Sequence, residues 1–402
     1  MSTKLWVGID AGKSHHHAVA IDTDGRQLLS RKLVNDEGPI LELIADVHAL
    51  TEDPEILWAT DLNQGPSSLL LALLAAHVQQ VLYIPGRTVH AAAKAYQGGN
   101  KTDAKDAAII ADQARMRRDL HPVKITDETA AGLKILTGQR ADLVADRTRA
   151  INRLRGLLSE YFPALEVAFD FAQRKTALLL LTRYQSPAVI RASGETRITK
   201  WLSSNGGIRG AAVAHDAVAA AHRQHTTIPG EQTAVSAIKR LAEQVLELYR
   251  EVEAMDQQIR VLLNQHAYAP LLLSIPGIGF LLAAEFIGAT GGEIKNFQNA
   301  NRLAGIAGVA PVSKDSGRIT GNRHRPHRYD RKLLRVCFIA AQTAARICPV
   351  AGAYYARKRA EGKNHKQAVL ALARRRVNVI WAVLSSGQPF DPTHRSSALK
   401  TV

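Results

Sequence analysis

The stretch that decides the fold is KLWVGIDAGKSHHHAVAID, residues 4–22. Leu5, Val7 and Ile9 alternate on one face, AGKS makes a turn, and Val19 and Ile21 continue the alternation on the return. A period of two around a glycine-bearing turn is the pattern of a β-hairpin. A second turn at DTDGR leads to KLV (32–34), a third strand, and EGPILELIADVHAL (37–50) then spaces its apolar residues as a helix. ILWATD (56–61) reads as a buried strand, SSLLLALLAAH (67–77) as a helix and VQQVLYIP (78–85) as a further strand. A helix opening near Asp103 closes the unit near residue 120. This interleaving predicts an α/β domain with mixed strand pairing over residues 1–122.

The next region, 123–265, reads as all-α. Leu133, Leu136, Arg140, Leu143, Arg147, Ile151, Leu154 and Leu158 fall at steps of three and four. Ala234, Ile238, Leu241, Val245, Leu248, Val252, Met255, Ile259 and Leu262 do the same without a slip, which makes a heptad seam. Two partners suit that seam: residues 127–160 of the same chain, as a helical hairpin, or a second copy, as a coiled coil. Residues 162–229 look helical and loop-broken and offer no chemistry. In the last region, 266–402, LLLSIPGIGFLLAAEFIGATGG sets Pro276-Gly277-Ile278-Gly279 between two helical patterns. A helix-hairpin-helix has this look, and there backbone N–H groups beside Gly277 and Gly279 can hold a nucleic-acid phosphate. Two Ala-rich helices are expected near 331–347 and 365–385.

Composition narrows the function. In 402 residues, 46% are hydrophobic and 22% charged, enough to bury cores and too ordered a balance for a disordered chain. No apolar run approaches the length of a membrane span, and MSTKLWVGID lacks a signal-peptide pattern, so a cytoplasmic protein with no membrane partner is expected. Cys337 and Cys348 are the only cysteines, which excludes a disulfide scaffold and a four-cysteine zinc site. Lys and Arg number 52 against 36 Asp and Glu, a net charge of +16. Between Arg302 and Arg376 there are 18 Lys and Arg against Asp315, Asp330 and Glu361, so this segment alone carries +15. Charge so concentrated points to phosphate contact.

The aspartates lie elsewhere. Asp10 ends the first strand in GIDAGK, and Asp61 ends another in WATDLNQG. Asp103 and Asp106, three apart in KTDAKDAAIIA, project from one face of a helix start. Each has an ordinary alternative role: Asp10 as a turn former, Asp61 and Asp103 as helix caps. Four carboxylates gathered together would repel unless divalent cations neutralised them, and Mg²⁺ takes such oxygen ligands while bridging substrate phosphates. His15, His16 and His17 cannot chelate together, because neighbouring strand residues point to opposite faces.

The order Asp10, Asp61, Asp103, Asp106 resembles the DEDD motif of RuvC-like, RNase H-fold domains. More narrowly, GIDAGK (8–13), YQGGNKTDAKDA (96–107) and SIPGIG (274–279) resemble the IS-one-ten family of insertion-sequence transposases, the bridge-RNA-guided recombinases. The motif has Glu at its second position, where this chain has Asp61; a shorter carboxylate still binds Mg²⁺. The resemblance implies a RuvC-like domain (1–122), a helical coiled-coil linker (123–265) and a C-terminal transposase domain (266–402). It implies Mg²⁺, or Mn²⁺ in its place, held by the four aspartates. Donor and target DNA, a structured guide RNA and a homodimer or homotetramer are the implied partners.

LAGIAGVAPVSKDSGRITGNRHRPHRYDRKLLRVCFIAA (303–341) is similar to the family's second catalytic region, where a Ser-Gly precedes a basic loop and an Ala-rich helix. By that similarity Ser316, followed by Gly317, falls on the nucleophilic serine. From the residues alone, Ser313 is a rival and both serines suit a turn. A serine attacking a phosphodiester needs cations around the phosphorane, and Arg318, Arg323, Arg325 and Arg328 are near in sequence. Lys101, Lys105, Arg331 and Lys332 complete the expected nucleic-acid contacts. The alternative is a metal-only nuclease or Holliday-junction resolvase with water as nucleophile. An actin-like ATPase or sugar kinase would need a second Asp-Gly phosphate loop, which the sequence lacks, and a non-catalytic scaffold leaves the aspartates unexplained.

Overall fold

The computed structural model describes residues 4–52, 55–62, 65–96, 102–123, 127–313, 316, 320–321, 323–324, 326 and 328–391. The chain forms two compact units, Met1–Thr126 and Asp127–Val402.

The first unit is built on the hairpin. Strands β1 (Lys4–Ala11) and β2 (His15–Ile21) pair antiparallel, and β3 (Gln27–Val34) adds antiparallel to β2. Helix α1 (Glu37–His48) follows, its N-terminus capped by the Asp36 carboxylate, which accepts from the Glu37 N–H. Strand β4 (Glu55–Thr60) lies parallel to β1. After α2 (Ser68–Ala76), β5 (Gln80–Tyr83) lies parallel to β4. Helices α3 (Gly86–Ala93) and α4 (Asp103–Met116) come next, and the short β6 (His121–Pro122) closes the order β3-β2-β1-β4-β5-β6. The expected mixed α/β layout is therefore present.

Alternation divides the sheet's side chains between two cores. Val7, Ile9, Ala18, Ala20 and Trp58 pack with Ile40 and Leu43 of α1 and Leu70 and Leu74 of α2. Trp6, Val19, Ile21, Ala59 and Leu82 pack on the other face with Val89 of α3 and Ala107, Ile110 and Ala111 of α4. Gly8 lies on this second face and lets α4 come very close. A Cβ there would collide with the Ala107 carbonyl oxygen and the Ala111 amide nitrogen, and would stand 2.9 Å from the Ala111 Cα.

The second unit is helical. Helices α5 (Glu128–Tyr161) and α10 (Glu231–Leu263) are its long elements. Between them run α6 (Pro163–Ala168), α7 (Lys175–Leu181), α8 (Pro187–Ser204) and α9 (Gly210–His222). Ala130 and Leu133 of α5 share a core with Ile259 and Leu263 of α10, whereas Ile151 and Leu154 share a different one with Ile238 and Val245. The two helices are thus antiparallel, with Arg140 ion-paired to Asp256 across them. Of the two partners for the heptad seam, this is the intrachain hairpin. The boundary expected at 265/266 falls within this unit.

Beyond α10 come α11 (Tyr268–Ser274), α12 (Phe280–Thr290) and α13 (Ala300–Ile306), with PGIG between α11 and α12. Strands β7 (Val312–Ser313) and β8 (Arg323–His324) form a small ladder. The unit ends with α14 (Arg331–Ile347), α15 (Pro349–Ala360) and α16 (His365–Ser386). Helix α15 was not expected. No single helix among the described residues is long and apolar enough to cross a membrane.

Candidate functional site

Asp10 lies within β1, directly opposite His17 of β2. It shares strand parity with Trp6 and Gly8, so it belongs to the face covered by α4. Asp61 follows Thr60, the register partner of Ile9, and so stands beside Asp10 at the end of neighbouring parallel strands. The parity of Ala59, which packs against α4, carries to Asp61 and puts it on the same face. Helix α4 presents Asp103 and Asp106 in its first turn, where the helix dipole favours anions.

The ordinary roles of these residues are filled by others. Thr102 caps α4, accepting from the Lys105 N–H at 3.2 Å, so Asp103 is not the cap. Ser67 precedes α2, so Asp61 does not cap that helix. Asp10 is paired in a strand rather than placed in the turn.

Asp61 is the most constrained of the four. Burial pushes its carboxyl above the usual aspartate range, the Ala11 N–H partly offsets this, and the nearby Asp106 charge adds to the rise. Its Oδ1 is buried with no hydrogen-bond partner among the described residues. Burial and the Asp61 charge also raise the Tyr83 hydroxyl, and a Cβ on Gly86 would lie 3.7 Å from Asp61 Oδ2. An orphaned carboxylate oxygen beside a second carboxylate suits a divalent cation, which takes hard oxygen ligands.

The four carboxylates share one face but do not close on one another. Among the described residues, no three His, Cys, Asp or Glu side chains are grouped to hold a metal ion. Like charges repel, so such a shell tightens only around a cation. Mg²⁺ is commonly held by one or two carboxylates, its remaining positions going to water and substrate phosphate.

His17 belongs to this site, although the sequence pattern showed only that the three histidines cannot chelate together. Its ring shares a hydrogen bond with Ser30 Oγ at 2.9 Å. Burial lowers its pKa, the Asp103 charge opposes that, and Lys32, its register partner on β3, reinforces it. The detectable signal was parity: once β1 and β2 pair, Asp10 and His17 face the same way. His16 points to the opposite face and is buried.

In the second unit, Ser316 and Ser313 are both exposed, and Ser313 pairs with Arg323 through the backbone. Arg328 and Arg331 are exposed. Lys332 lies near Lys134, lowering that ammonium's pKa together with burial, the larger cause. Lys332 also neighbours the half-buried Glu285, which is ion-paired with Arg335. Gly277 has φ +90°, and a Cβ on it would collide with the Ala340 carbonyl of α14. The Pro276 carbonyl beside it accepts from the buried Arg376 guanidinium. Gly279 opens α12 with nothing within 4 Å of where a Cβ would stand. Lys101, Arg318, Arg325 and the side chain of Arg323 lie outside the described residues.

Two family models match the chain, the first running past Thr126 into the second unit. Residues 7–163 match a DEDD transposase model of the IS110 type, and residues 269–356 match the model described as the transposase IS116/IS110/IS902 family. A 42 kDa protein of insertion element IS900 from Mycobacterium paratuberculosis is 49% identical over 99% of this chain and 100% of its own length. A 44.8 kDa protein of insertion element IS116 from Streptomyces clavuligerus is 48% identical over 98% of both chains. A 43.6 kDa protein of insertion element IS110 from Streptomyces coelicolor is 35% identical over 96% of this chain and 95% of its own.

Proposed function

The chain belongs to the IS116/IS110/IS902 family of insertion-sequence transposases, and from that premise we propose that it cuts and rejoins donor and target DNA under the guidance of a structured RNA. The observation that carries the chemistry is the juxtaposition of Asp61, with its orphaned oxygen, and Asp106 on the sheet face that also presents Asp10. The order β3-β2-β1-β4-β5, antiparallel and then parallel, supports an RNase H-like, RuvC-like assignment for 1–122. Residues 123–265 act as the helical linker, and 266–402 carry the serine.

Asp10, Asp61, Asp103 and Asp106 hold Mg²⁺, which Mn²⁺ can replace. When bound, the cation neutralises charge on the phosphoryl oxygens. Ser316 Oγ attacks the phosphorus and gives up its proton. The Oγ–P bond forms as the P–O3′ bond breaks, and the released 3′ oxygen takes up a proton. The phosphoserine ester conserves the bond for reversal by a different 3′ hydroxyl, which rejoins the strands. Lys101, Lys105, Arg318, Arg323, Arg325, Arg328, Arg331 and Lys332 neutralise phosphates, helped by the N–H groups around Gly277 and Gly279. Base pairing with the guide supplies sequence specificity, so the protein reads shape and backbone. Strand exchange needs more than one active centre, so the working form is a homodimer or homotetramer.

Asp103→Asn and Asp106→Asn preserve shape and remove one charge each. Strand cleavage in Mg²⁺ is expected to collapse in both, with circular dichroism and nucleic-acid binding retained. Full recombination by either variant would contradict the carboxylate assignment. In a metal-only nuclease or junction resolvase the same variants would fail, but no protein would stay attached to DNA.

A further inference from the structure

Helix α14 has a second face, whose Leu334 and Phe338 touch the core's edge and stay half-buried. Leu333, Val336, Cys337, Ala340, Ala341 and Ala344 are buried on one side. Arg331, Leu334, Arg335, Phe338 and Ile339 line a cavity of 290 Å³ on the other, completed by Lys366 and Leu370 of α16. The floor is apolar: Leu334, Phe338 and Leu370 are half-buried, and Ile339 is 37% exposed. The rim is cationic, with Arg331, Arg335 and Lys366 all exposed. Glu285 brings an acid to this rim through its ion pair with Arg335.

We propose that this groove is a binding site for a single unpaired nucleotide, its base laid on Phe338 and its phosphates held by Arg331, Arg335 and Lys366. The inference rests on the nucleic-acid reading above and adds a site to it. The volume sits near the lower end of the range for small-ligand pockets, about 300 Å³, which suits one base rather than a segment of duplex. A base offers two flat apolar faces and an anionic backbone, and the groove offers an aromatic floor with cations around it. A base inside a duplex is covered by its neighbours and cannot enter, so the groove selects bulged, extruded or single-stranded nucleotides. The pairing of a cationic rim with an aromatic floor favours this occupant over an apolar protein surface.

The test uses the full chain and two labelled DNAs of equal length, one fully paired and one with a single unpaired 2-aminopurine. The wild type is expected to prefer the unpaired probe by about tenfold or more, with the fluorescence change of stacking. Phe338→Leu keeps apolar volume but removes the ring, and should abolish the preference while leaving the salt dependence of binding unchanged. Ile339→Asp alters an exposed position and places an anion in the groove, so it provides the same test if Phe338→Leu fails to fold. Arg331→Ala with Lys366→Ala should weaken the unpaired probe more than the paired one. Equal binding of both probes by the wild type, or an unchanged preference in Phe338→Leu and Ile339→Asp, would overturn the proposal. Salt-dependent binding of the paired probe would meanwhile leave the broader reading standing. A change in assembly mass in the variants with the preference intact would make the groove a contact between copies, and would overturn it too.

Discussion

Gly8 of β1 sits against Ala107 of α4 so closely that no side chain fits between them. This contact fixes the start of α4 over the end of β1, and Asp106 is the residue next to Ala107. The glycine thereby positions a carboxylate nearly a hundred residues away. Gly8→Ala is expected to force α4 off the sheet, at a cost of about 1–3 kcal/mol or more, since the clash is with backbone. Chemical denaturation measures that loss, and cleavage should fall by more than stability alone explains.

Asp61 should make the fold sensitive to cations. Its carboxyl is raised by burial and by Asp106, so the folded state binds a proton more readily than the unfolded chain. Stability from this group is full below the unfolded value of 3.8 and is lost as pH rises through the higher folded value. At pH 7 without divalent metal, Asp61→Asn is therefore expected to melt above the wild type. Added Mg²⁺ should raise the wild-type melting temperature and leave that of the variant nearly unchanged.

His266 predicts the opposite slope in the second unit. Its Nδ1 accepts from the Tyr268 N–H at 3.0 Å, so the ring is neutral there. Burial lowers its pKa, outweighing the Asp127 and Glu293 charges and the Gly292 backbone, which favour protonation. Stability from this group is present above the unfolded value of 6.5 and is lost as pH falls through the depressed folded value. Denaturation midpoints at pH 7 and pH 5 should separate less in His266→Gln than in the wild type.

The hairpin, helices α1, α2 and α4 of the first unit and the positions of Asp10 and Asp61 at strand ends were readable because burial imposes periods of two and 3.6 on the sequence. Other features were not readable, for identifiable reasons. The heptad seam of α10 suits a neighbour in the same chain or in another copy equally well, and only the fold shows α5 occupying it. Helix α15 buries only Ala351 of its twelve residues, so its apolar pattern is faint. Gly277 looked like a phosphate-loop glycine, and its close packing on α14 depends on a helix more than fifty residues later. His17 shares the carboxylate face through strand register, which motif spacing does not encode.

The basic loop predicts a change in salt dependence. Replacing Arg323, Arg325 and Arg328 with Ala should weaken nucleic-acid binding. The slope of log affinity against log salt should become shallower by about 0.9 for each duplex phosphate that the variant no longer neutralises. Titrations at several salt concentrations measure it, and an unchanged slope would make those arginines ordinary surface.

The serine mechanism is the central claim and the one most open to disproof. Labelled DNA incubated with the protein and Mg²⁺, then run on a denaturing gel, reports whether protein stays covalently attached. The wild type and Ser313→Ala are expected to form a phosphoserine adduct, and Ser316→Ala to form none while still binding DNA and RNA. An adduct that persists in Ser316→Ala and disappears in Ser313→Ala would move the nucleophile three residues upstream. Recombination by the wild type with no adduct at any time would contradict the serine mechanism and leave a metal-activated water as the nucleophile.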